Sequence, residues 1–307
     1  MILCLGTTPT VQRTMTFATL QSDAVNRASR VHEYASGKSI NAARVVHTLG
    51  EPVLATGFLG GDRGRFIRAD LDRARIAHDF VDVESPTRLC ITVIDESQRT
   101  ATELLEESQP VSRESYDTLL DKLMSLLSQA QVIVMSGRLT GGADPGFYAR
   151  VVALATNARC IIDGTGPPLL AALEKRPFLV KPNRAELAET LEAEIDDVES
   201  LRGAMRETIA RGARWAVVTA GTESTLVTNG KQFWQIDVPT VRAVSPIGSG
   251  DAFSAGIAVG ISRGMDMPEA CRLGTSCAVA NAMTPYAGHV DRAEVERQLS
   301  RIKLSPV

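Results

Sequence analysis

Short apolar runs alternate with amphipathic segments through the middle of this chain, and this alternation constrains the fold more than any other feature. Each apolar run is followed by a polar loop and then by a helical pattern. Such alternation predicts an α/β fold with a doubly wound parallel sheet flanked by helices. The predicted strands are 132–136, 160–163, 178–181 and 215–219, and the predicted helices lie near 144–156, 167–175, 183–192 and 198–211.

The same alternation extends to both ends of the chain. Further strands are predicted at 2–6 and 54–59, and further helices at 42–49, 65–75, 268–283 and 291–301.

Ligands of open parallel sheets lie beyond the carboxyl ends of the strands, so the polar loops that follow the predicted strands are candidate site segments.

Residues 86–94 follow a different, alternating pattern. Leu89, Ile91 and Val93 face one way, whereas Arg88, Cys90 and Thr92 face the other. Alternation indicates a sheet that is covered on one face only. We therefore predict a single domain over residues 1–307 with a small inserted β lid, formed by about 10–35 and 86–106. The polar face of this lid is suited to close over a site.

Composition excludes several classes of function. At 307 residues, 44% apolar and 22% charged, the chain is long and apolar enough to bury a large core. With a net charge of −3 and only 5% aromatic residues, the composition does not indicate a protein that binds nucleic acid or an anionic membrane. The five scattered cysteines include no Cys-x-x-Cys pair, so neither a zinc site nor a disulfide framework is predicted. The first residues lack the features of a signal or membrane segment, and a cytoplasmic location is expected.

The most informative stretch is Gly248-Ser249-Gly250-Asp251, which opens a run of small residues. Glycines permit a tight turn, and the free N–H groups of a helix start form an anion site. Asp251 beside such a site suits removal of a proton from a hydroxyl, while the N–H groups stabilise a transferring phosphoryl group. A plain glycine-rich helix cap explains the spacing equally well.

Two other motifs carry weaker signals. Lys38 lies in Gly37-Lys38-Ser39 before a helix, but a Walker A loop is excluded because His32 occupies the position of its first glycine. Lys38 is therefore either a phosphate contact or a solvated lysine. Asn183 and Glu186 share one helix face, which suits Mg²⁺ held largely through water, or else a capping box. Together these features suit phosphoryl transfer.

On these motifs, and over essentially its whole length, the chain resembles the ribokinase-like (PfkB) carbohydrate kinases. The similarity is greatest to the branch containing 1-phosphofructokinase and tagatose-6-phosphate kinase. The segment 247–253, Ile-Gly-Ser-Gly-Asp-Ala-Phe, is similar to the C-terminal signature of the family. The segment 36–43 is similar to the Gly-Lys-Gly-x-Asn element of that branch, and 180–187 carries further features of it.

The resemblance implies roles for individual residues. Asp251 would be the catalytic base, and the backbone of Gly248, Ser249 and Gly250 the anion hole. Lys38 and Arg88 would hold the phosphate already on the sugar, and Gly37 and Asn41 would contact the sugar. Asn183 and Glu186 would organise Mg²⁺ and its waters. The residues implied along the ATP channel are Lys181, Asn183, Thr219, Gly221 and Asn281. In relatives the lid often forms a dimer clasp, so a homodimer through the lid is a further expectation.

Two residues depart from the family pattern. Gln12 occupies the position where relatives carry an aspartate that binds sugar hydroxyls. A glutamine amide also forms hydrogen bonds with hydroxyls, but it cannot supply the charge-assisted bonds of a carboxylate. Arg138 replaces a serine in the loop after residue 136, where it is either an extra cation for an anionic substrate or a surface residue. Both departures bear on the identity of the substrate rather than on the chemistry.

The sequence therefore predicts an ATP- and Mg²⁺-dependent kinase of a sugar phosphate of the fructose-1-phosphate or tagatose-6-phosphate type. Two alternatives stay open on the residues alone. One is a kinase of an unphosphorylated sugar or nucleoside on the same fold, and the other is a non-catalytic sugar-phosphate sensor.

Overall fold

The first strand, Ile2–Gly6, lies inside a ten-stranded sheet in the computed structural model, which describes residues 1–307. Its alternate side chains enter two different cores: Ile2 and Cys4 pack on one side of the sheet, Leu3 and Leu5 on the other. Since helices cover both faces, the strand is apolar without alternation. The strands of the protein are β1 Ile2–Gly6, β2 Thr10–Phe17, β3 Arg30–Ser36, β4 Val53–Leu59, β5 Val81–Asp82, β6 Arg88–Asp95, β7 Thr100–Leu105, β8 Val132–Ser136, β9 Arg159–Asp163, β10 Leu179–Val180, β11 Trp215–Val218, β12 Thr225–Thr228, β13 Phe233–Ile236 and β14 Leu304–Pro306.

Ten helices accompany these strands, and none of them is both long enough and apolar enough to cross a membrane. They are α1 Lys38–Thr48, α2 Gly61–Arg73, α3 Arg113–Leu127, α4 Phe147–Leu154, α5 Gly166–Leu173, α6 Arg184–Leu191, α7 Val198–Ala210, α8 Ser249–Ser262, α9 Met267–Ala282 and α10 Arg292–Leu299.

The large sheet has the strand order β14-β13-β12-β11-β10-β9-β8-β1-β4-β5. The seven strands from β11 to β5 in this order pair in parallel, and β12, β13 and β14 add an antiparallel edge. The chain leaves β1 first towards β4 and later towards β8, so the direction of winding reverses beside β1. The predicted α/β class, with a parallel sheet flanked by helices, is confirmed; the antiparallel edge was not predicted.

Helix α3 was also not predicted, although its sequence carries the signal. Tyr116, Leu119, Leu123 and Leu127 are buried at helical spacing, and Ser112 caps the first turn by accepting from Ser115 N–H. The predicted start of α1 at residue 42 was late. The helix begins at Lys38, directly after Gly37, whose φ of 108° few other residues adopt.

The predicted small β unit is a separate four-stranded sheet with the order β3-β2-β6-β7. Strands β2 and β6 pair in parallel, with Thr10 opposite Arg88 and Gln12 opposite Cys90. These polar and small side chains line the main cavity, whereas Ile91 and Val93 lie half-buried on the outer face. The polar face of the lid is therefore the one turned towards the rest of the protein.

Candidate active site

A cavity of about 970 Å³ lies beyond the carboxyl ends of the parallel strands, between the lid and the start of α8. Of the residues singled out from the sequence, only Arg138 and Asn281 are absent from its wall. Arg138 is exposed and lies two residues after the end of β8. The predicted residues that the fold brings together there are Gln12, Gly37, Lys38, Asn41, Arg88, Lys181, Asn183, Glu186, Thr219, Gly221, Gly248, Ser249, Gly250 and Asp251.

The start of α8 presents unpaired backbone donors to this cavity. Gly248 precedes the helix in the left-handed conformation, with a φ of 82°. A Cβ there would lie 2.8 Å from the Cα of Ala287, so the close approach also requires glycine. No backbone carbonyl or side chain accepts from the N–H groups of Gly250 and Asp251. These donors form a site for an anion.

Asp251 is the buried carboxyl group of the site, only 7% exposed. Its Oδ2 accepts a hydrogen bond of 2.7 Å from the side-chain amide of Asn41. Burial raises the pKa of Asp251 to about 7, and the nearby Asp163 carboxylate adds to that effect, while Lys38, Asn41 and Lys181 oppose it. A carboxyl group with a pKa near neutrality is suited to accept and return a proton.

Asp163, at the end of β9, is a site residue that the sequence did not single out. Lys38 Nζ lies 3.2 Å from its Oδ1, Lys181 Nζ lies 3.3 Å from its Oδ2, and the Ser254 hydroxyl donates to Oδ2 at 2.9 Å. Burial would raise the pKa of Asp163, but Lys181, Lys38 and these hydrogen bonds hold it below its usual range. The available signal was an aspartate ending an apolar run at the carboxyl end of a strand.

Lys38 and Arg88 bring positive charge to the lid end of the cavity. The Asp163 carboxylate raises the pKa of Lys38, so this lysine is fully protonated at neutral pH. Arg88 donates to the carbonyls of Thr8 and Glu106 and forms no ion pair, and its Nε is buried without an acceptor. Lys38 and Lys181 both pair with Asp163, and Asp251 and Glu186 lie near Lys38 without pairing with it. Both Lys38 and Arg88 are therefore able to bind an anionic ligand directly.

Gln12 lies on the inner face of the lid, 2% exposed. Its Nε2 donates to the hydroxyl of Thr92 at 2.8 Å, which fixes the amide and leaves its oxygen as an acceptor. The side chain therefore offers the cavity a neutral hydrogen-bonding group.

Asn183 and Glu186 form a complete capping box at the start of α6. Asn183 Oδ1 accepts from Glu186 N–H, and Glu186 Oε2 accepts from Asn183 N–H, each at 2.8 Å. Glu186 Oε1 has no hydrogen-bond partner, and both side chains line the cavity. No group of three or more acidic, histidine or cysteine residues forms a metal cage. One open carboxylate oxygen fits Mg²⁺ only as an ion held mainly by phosphates and water.

The cavity continues past Thr219 and Gly221 into an apolar groove. Asn281, which the family resemblance implied along the ATP channel, does not line this cavity and is fully buried. Its amide donates to Ile247 O and to the Ser249 hydroxyl, and its Oδ1 accepts from Gly288 N–H. Asn281 thus ties the turn before α8 to the segment after α9. The apolar lining of the groove comes from Val238, Pro239, Val241, Ala278, Val279 and Ala282.

Comparison with known proteins gives one matching family and several similar structures. The sequence pattern of the pfkB family carbohydrate kinases matches residues 1–292. A Thermotoga maritima protein described as a possible 1-phosphofructokinase has a similar structure, with a TM-score of 0.91, 24% identity and coverage of 100% of this chain and 99% of that one. Phosphofructokinase-2 from Escherichia coli, solved with fructose-6-phosphate, gives a TM-score of 0.88 at 21% identity, with 98% of each chain covered. It has also been solved in a tetrameric inhibited form.

A more distant structure shares the fold as well. Ribokinase from Arabidopsis thaliana, solved with ribose and ATP, gives a TM-score of 0.77 at 19% identity, covering 97% of this chain and 98% of that one. At these identities the structural similarities establish the fold, and the family rests on the sequence match.

Proposed function

The chain belongs to the pfkB family of carbohydrate kinases, and we propose that it transfers the γ-phosphoryl group of ATP to a hydroxyl of a sugar phosphate. The observation that carries this proposal is the position of Asp251. It lies at the start of α8 beside unpaired N–H groups, in the same cavity as Lys38 and Arg88. The proposed base, the proposed anion hole and a second subsite that would bind an anion then lie in one cavity.

In the proposed reaction Asp251 accepts the proton of the acceptor hydroxyl. The hydroxyl oxygen attacks the γ-phosphorus in line, and ADP leaves with the electron pair of the broken P–O bond. The N–H groups of Gly250 and Asp251 stabilise the negative charge on the equatorial oxygens. Support comes from the burial of Asp251, from its pKa of about 7, and from the absence of any other acceptor for those N–H groups.

The proposed acceptor is a sugar phosphate of the fructose-1-phosphate or tagatose-6-phosphate type. Arg88 forms no direct ion pair, although Glu103 lies near it in the cavity wall, and Lys38 shares Asp163 with Lys181. An anionic group on the sugar would give both Arg88 and Lys38 a direct partner. Phosphate is a strong acceptor for both side chains. Gly37, Asn41 and the amide oxygen of Gln12 lie beside them in the cavity wall, where we place the sugar hydroxyls.

We place ATP between Lys181 and the apolar groove beyond Thr219 and Gly221. The apolar side chains that line the groove suit an adenine ring, and the start of α8 lines the same cavity. Mg²⁺ enters as part of the ATP complex and neutralises phosphate charge; Glu186 and Asn183 are its proposed contacts, mainly through water.

The lid is the proposed surface for a homodimer. Its outer face exposes Val31 and Leu104 beside the half-buried Ile91 and Val93. A second copy of this chain would cover these residues, and a homodimer is the commonest symmetric oligomer. Lid closure over the cavity would also exclude water from the reacting groups.

A substrate panel tests the function. Purified protein is incubated with Mg²⁺-ATP and each of a set of hexoses, hexose monophosphates and nucleosides, and ADP release is measured. We expect turnover with one or more ketohexose monophosphates and little with the free sugars. Turnover confined to unphosphorylated acceptors would support the alternative kinase, and tight sugar-phosphate binding without ADP release would support a sensor.

The anionic subsite is tested by Lys38→Ala, with Lys122→Ala as the matched control. Lys122 pairs with Asp79 at the surface, away from the cavity. We expect the Lys38 variant to raise KM for the phosphosugar by about 10-fold or more, the worth of one charge-assisted hydrogen bond. An unchanged KM would contradict the assignment of Lys38 to the substrate phosphate.

A further inference from the structure

A chain of hydrogen bonds leads from the lid to the carboxyl group of Asp251. The Ser36 hydroxyl donates to Asn41 Oδ1 at 2.8 Å, and Asn41 Nδ2 donates to Asp251 Oδ2 at 2.7 Å. All three side chains are buried, Ser36 at 2%, Asn41 at 4% and Asp251 at 7% exposed. They come from three different elements: the end of β3, the first turns of α1 and the start of α8.

The direction of these bonds matters. An amide has one accepting and one donating end, and only the donating end stabilises a carboxylate. Because the Ser36 hydroxyl donates to the oxygen of Asn41, it holds the donating nitrogen towards Asp251. One N–H of Asn41 and the Oδ1 of Asp251 then stay free to meet a sugar hydroxyl.

We propose that Ser36 is a positioning residue for the reaction, which acts through Asn41 to orient and stabilise the ionised carboxylate of Asp251. This inference rests on the proposed role of Asp251 as the base. Ser36 is the last residue of a lid strand, and it pairs with Thr10 of β2. The alignment of the base therefore depends on where the lid strand ends.

A second contact of β3 supports this link between the lid and the start of α8. Tyr34, two residues earlier on the same face, accepts a hydrogen bond of 2.9 Å from Ala287 N–H through its hydroxyl. Ala287 in turn packs against Gly248, where a Cβ would lie 2.7 Å from the Ala287 Cβ. Two successive inward residues of β3 are thus linked to the start of α8, Ser36 through Asn41 and Tyr34 through Ala287.

The charged groups that face Asp251 are few. Lys38 approaches from α1, Asp163 from the end of β9 and Lys181 from the loop after β10. None of them contacts Ser36, so removal of the Ser36 hydroxyl leaves these charges in place. A shift in the titration of Asp251 in such a variant would report on the hydrogen-bond chain.

The test is Ser36→Ala, with Ser136→Ala as the control. Ser136 is also a buried serine at the carboxyl end of a strand, and its hydroxyl has no partner. We expect Ser36→Ala to lower kcat about 3- to 20-fold and to move the acidic limb of the pH–rate profile upwards by about half a unit to one unit. Ser136→Ala should leave both unchanged, and Ser36→Thr should restore most of the activity.

Two further results separate positioning from other roles. In an Asn41→Leu background, which lacks the amide, Ser36→Ala should have no additional effect on kcat. An effect on KM alone would overturn the proposal, because Ser36 would then contact the substrate. An unchanged pH profile would also overturn it, because Ser36 would then contribute only to packing. If Ser36→Ala fails to fold, Ser36→Cys replaces it, because a thiol has nearly the same size and is only a weak donor. Ser36→Cys should then also lower kcat and shift the pH profile, and an unchanged pH profile would again overturn the proposal.

A readout without turnover keeps this inference separate from the proposed function. The carboxyl carbon of Asp251 is followed by NMR as the ligand-free protein is titrated with acid. Ser36→Ala should raise the midpoint whether or not any sugar phosphate is a substrate. An equal midpoint in the two proteins would overturn the inference, whereas a wild type that consumes no ATP with any sugar phosphate would count against the proposed function alone.

Discussion

Asp251 is subject to two opposing influences: burial favours its neutral form, whereas the nearby positive charge of Lys38 and the hydrogen bond from Asn41 favour its charged form. Burial dominates and raises its pKa to about 7, while Asn41, Lys38 and Lys181 limit the rise. In its neutral form Asp251 cannot accept the proton of a hydroxyl. The rate should therefore depend on pH in the range where this one group titrates.

We expect kcat/KM to fall about tenfold per pH unit below pH 7 and to level off above it, since only ionised Asp251 acts as base. Asp251→Asn should lower turnover by about 10²- to 10⁴-fold. Steady-state kinetics between pH 5 and 9 measure both effects. The phosphate of a phosphosugar itself has a pKa near 6. If the residual activity of Asp251→Asn still fell at acidic pH, that fall would therefore belong to the substrate. Near-normal turnover in that variant would refute the mechanism.

The same pKa makes a prediction about stability. The carboxyl pKa is about 7 in the folded protein and near 4 when unfolded, so the folded state binds the extra proton between these values. Stability contributed by this group is present at low pH and is lost as the pH rises towards 7. Asp251→Asn should therefore be more stable than wild type at pH 8, by up to about 4 kcal/mol, with the difference closing near pH 4.

Chemical denaturation of both proteins at pH 4.5 and pH 8 measures this difference in the free energy of unfolding. A variant that is inactive yet more stable at pH 8 would show that its loss of activity is not a loss of folding. A variant less stable than wild type at pH 8 would contradict the raised pKa.

Helix α8 shows how an element creates a site by its placement. The N–H groups of Gly250 and Asp251 in its first turn are free because no side chain caps the helix, and Gly248 allows the turn to pack against Ala287. The helix carries several small residues among its larger ones, and Gly256 and Gly260 let α9 approach its backbone closely. Packing against α9 therefore sets the direction of α8, and in that direction the N-terminus of α8 faces the cavity.

Gly248→Ala tests this placement, with Gly264→Ala at the other end of α8 as the matched control. Both glycines have positive φ, 82° and 76°, but only at Gly248 would a Cβ meet other atoms closer than 3 Å. We expect Gly264→Ala to cost about 1 kcal/mol and Gly248→Ala about 2–4 kcal/mol.

Turnover distinguishes the two variants further. Gly248→Ala should lower kcat at least tenfold, because a shift of the turn displaces the N–H groups from the phosphoryl oxygens, whereas Gly264→Ala should not. Urea unfolding and kinetics measure the two effects. Equal losses of stability in both variants would mean that backbone strain, rather than contact with Ala287, explains the glycine.

At the scale of the whole molecule, the lid is exposed on its outer face. Its inner face borders the cavity, and its outer face leaves apolar residues uncovered, with Val31 56% and Leu104 53% exposed. An apolar face on a small sheet is costly in water unless another surface covers it. A second copy of the chain is the proposed cover.

We expect wild-type protein to sediment as a dimer, and the double variant Val31→Glu, Leu104→Glu to sediment as a monomer at the same concentration, because two buried like charges per chain would oppose pairing. Leu154→Glu, on α4 and also partly exposed, is the control and should remain dimeric. Analytical ultracentrifugation gives the answer directly. A monomeric wild type, or a double variant that remains dimeric, would rule out pairing through this face.

Much of the fold could be predicted from the sequence because local patterns report local burial. The strands with continuous apolar runs are those covered on both faces, and the alternating segment 86–94 belongs to the separate lid sheet. Helix α3 and the antiparallel edge β12–β14 were missed. The edge strands are three or four residues long, too short for a period to be read.

The sequence alone determined which residues near α8 are candidates for the chemistry, since glycines, an aspartate and a helix start lie within four positions of one another. Only the tertiary structure decided how distant residues act on them. Asn41 and Asp251 are 210 positions apart, and Lys38 and Asp163 are 125 apart. Hydrogen bonds and ion pairs between such residues depend on the direction of whole helices and strands, which core packing sets and no local pattern encodes. For that reason Asp163 and the Ser36–Asn41–Asp251 chain became visible only once the sheet, the lid and α8 were in place.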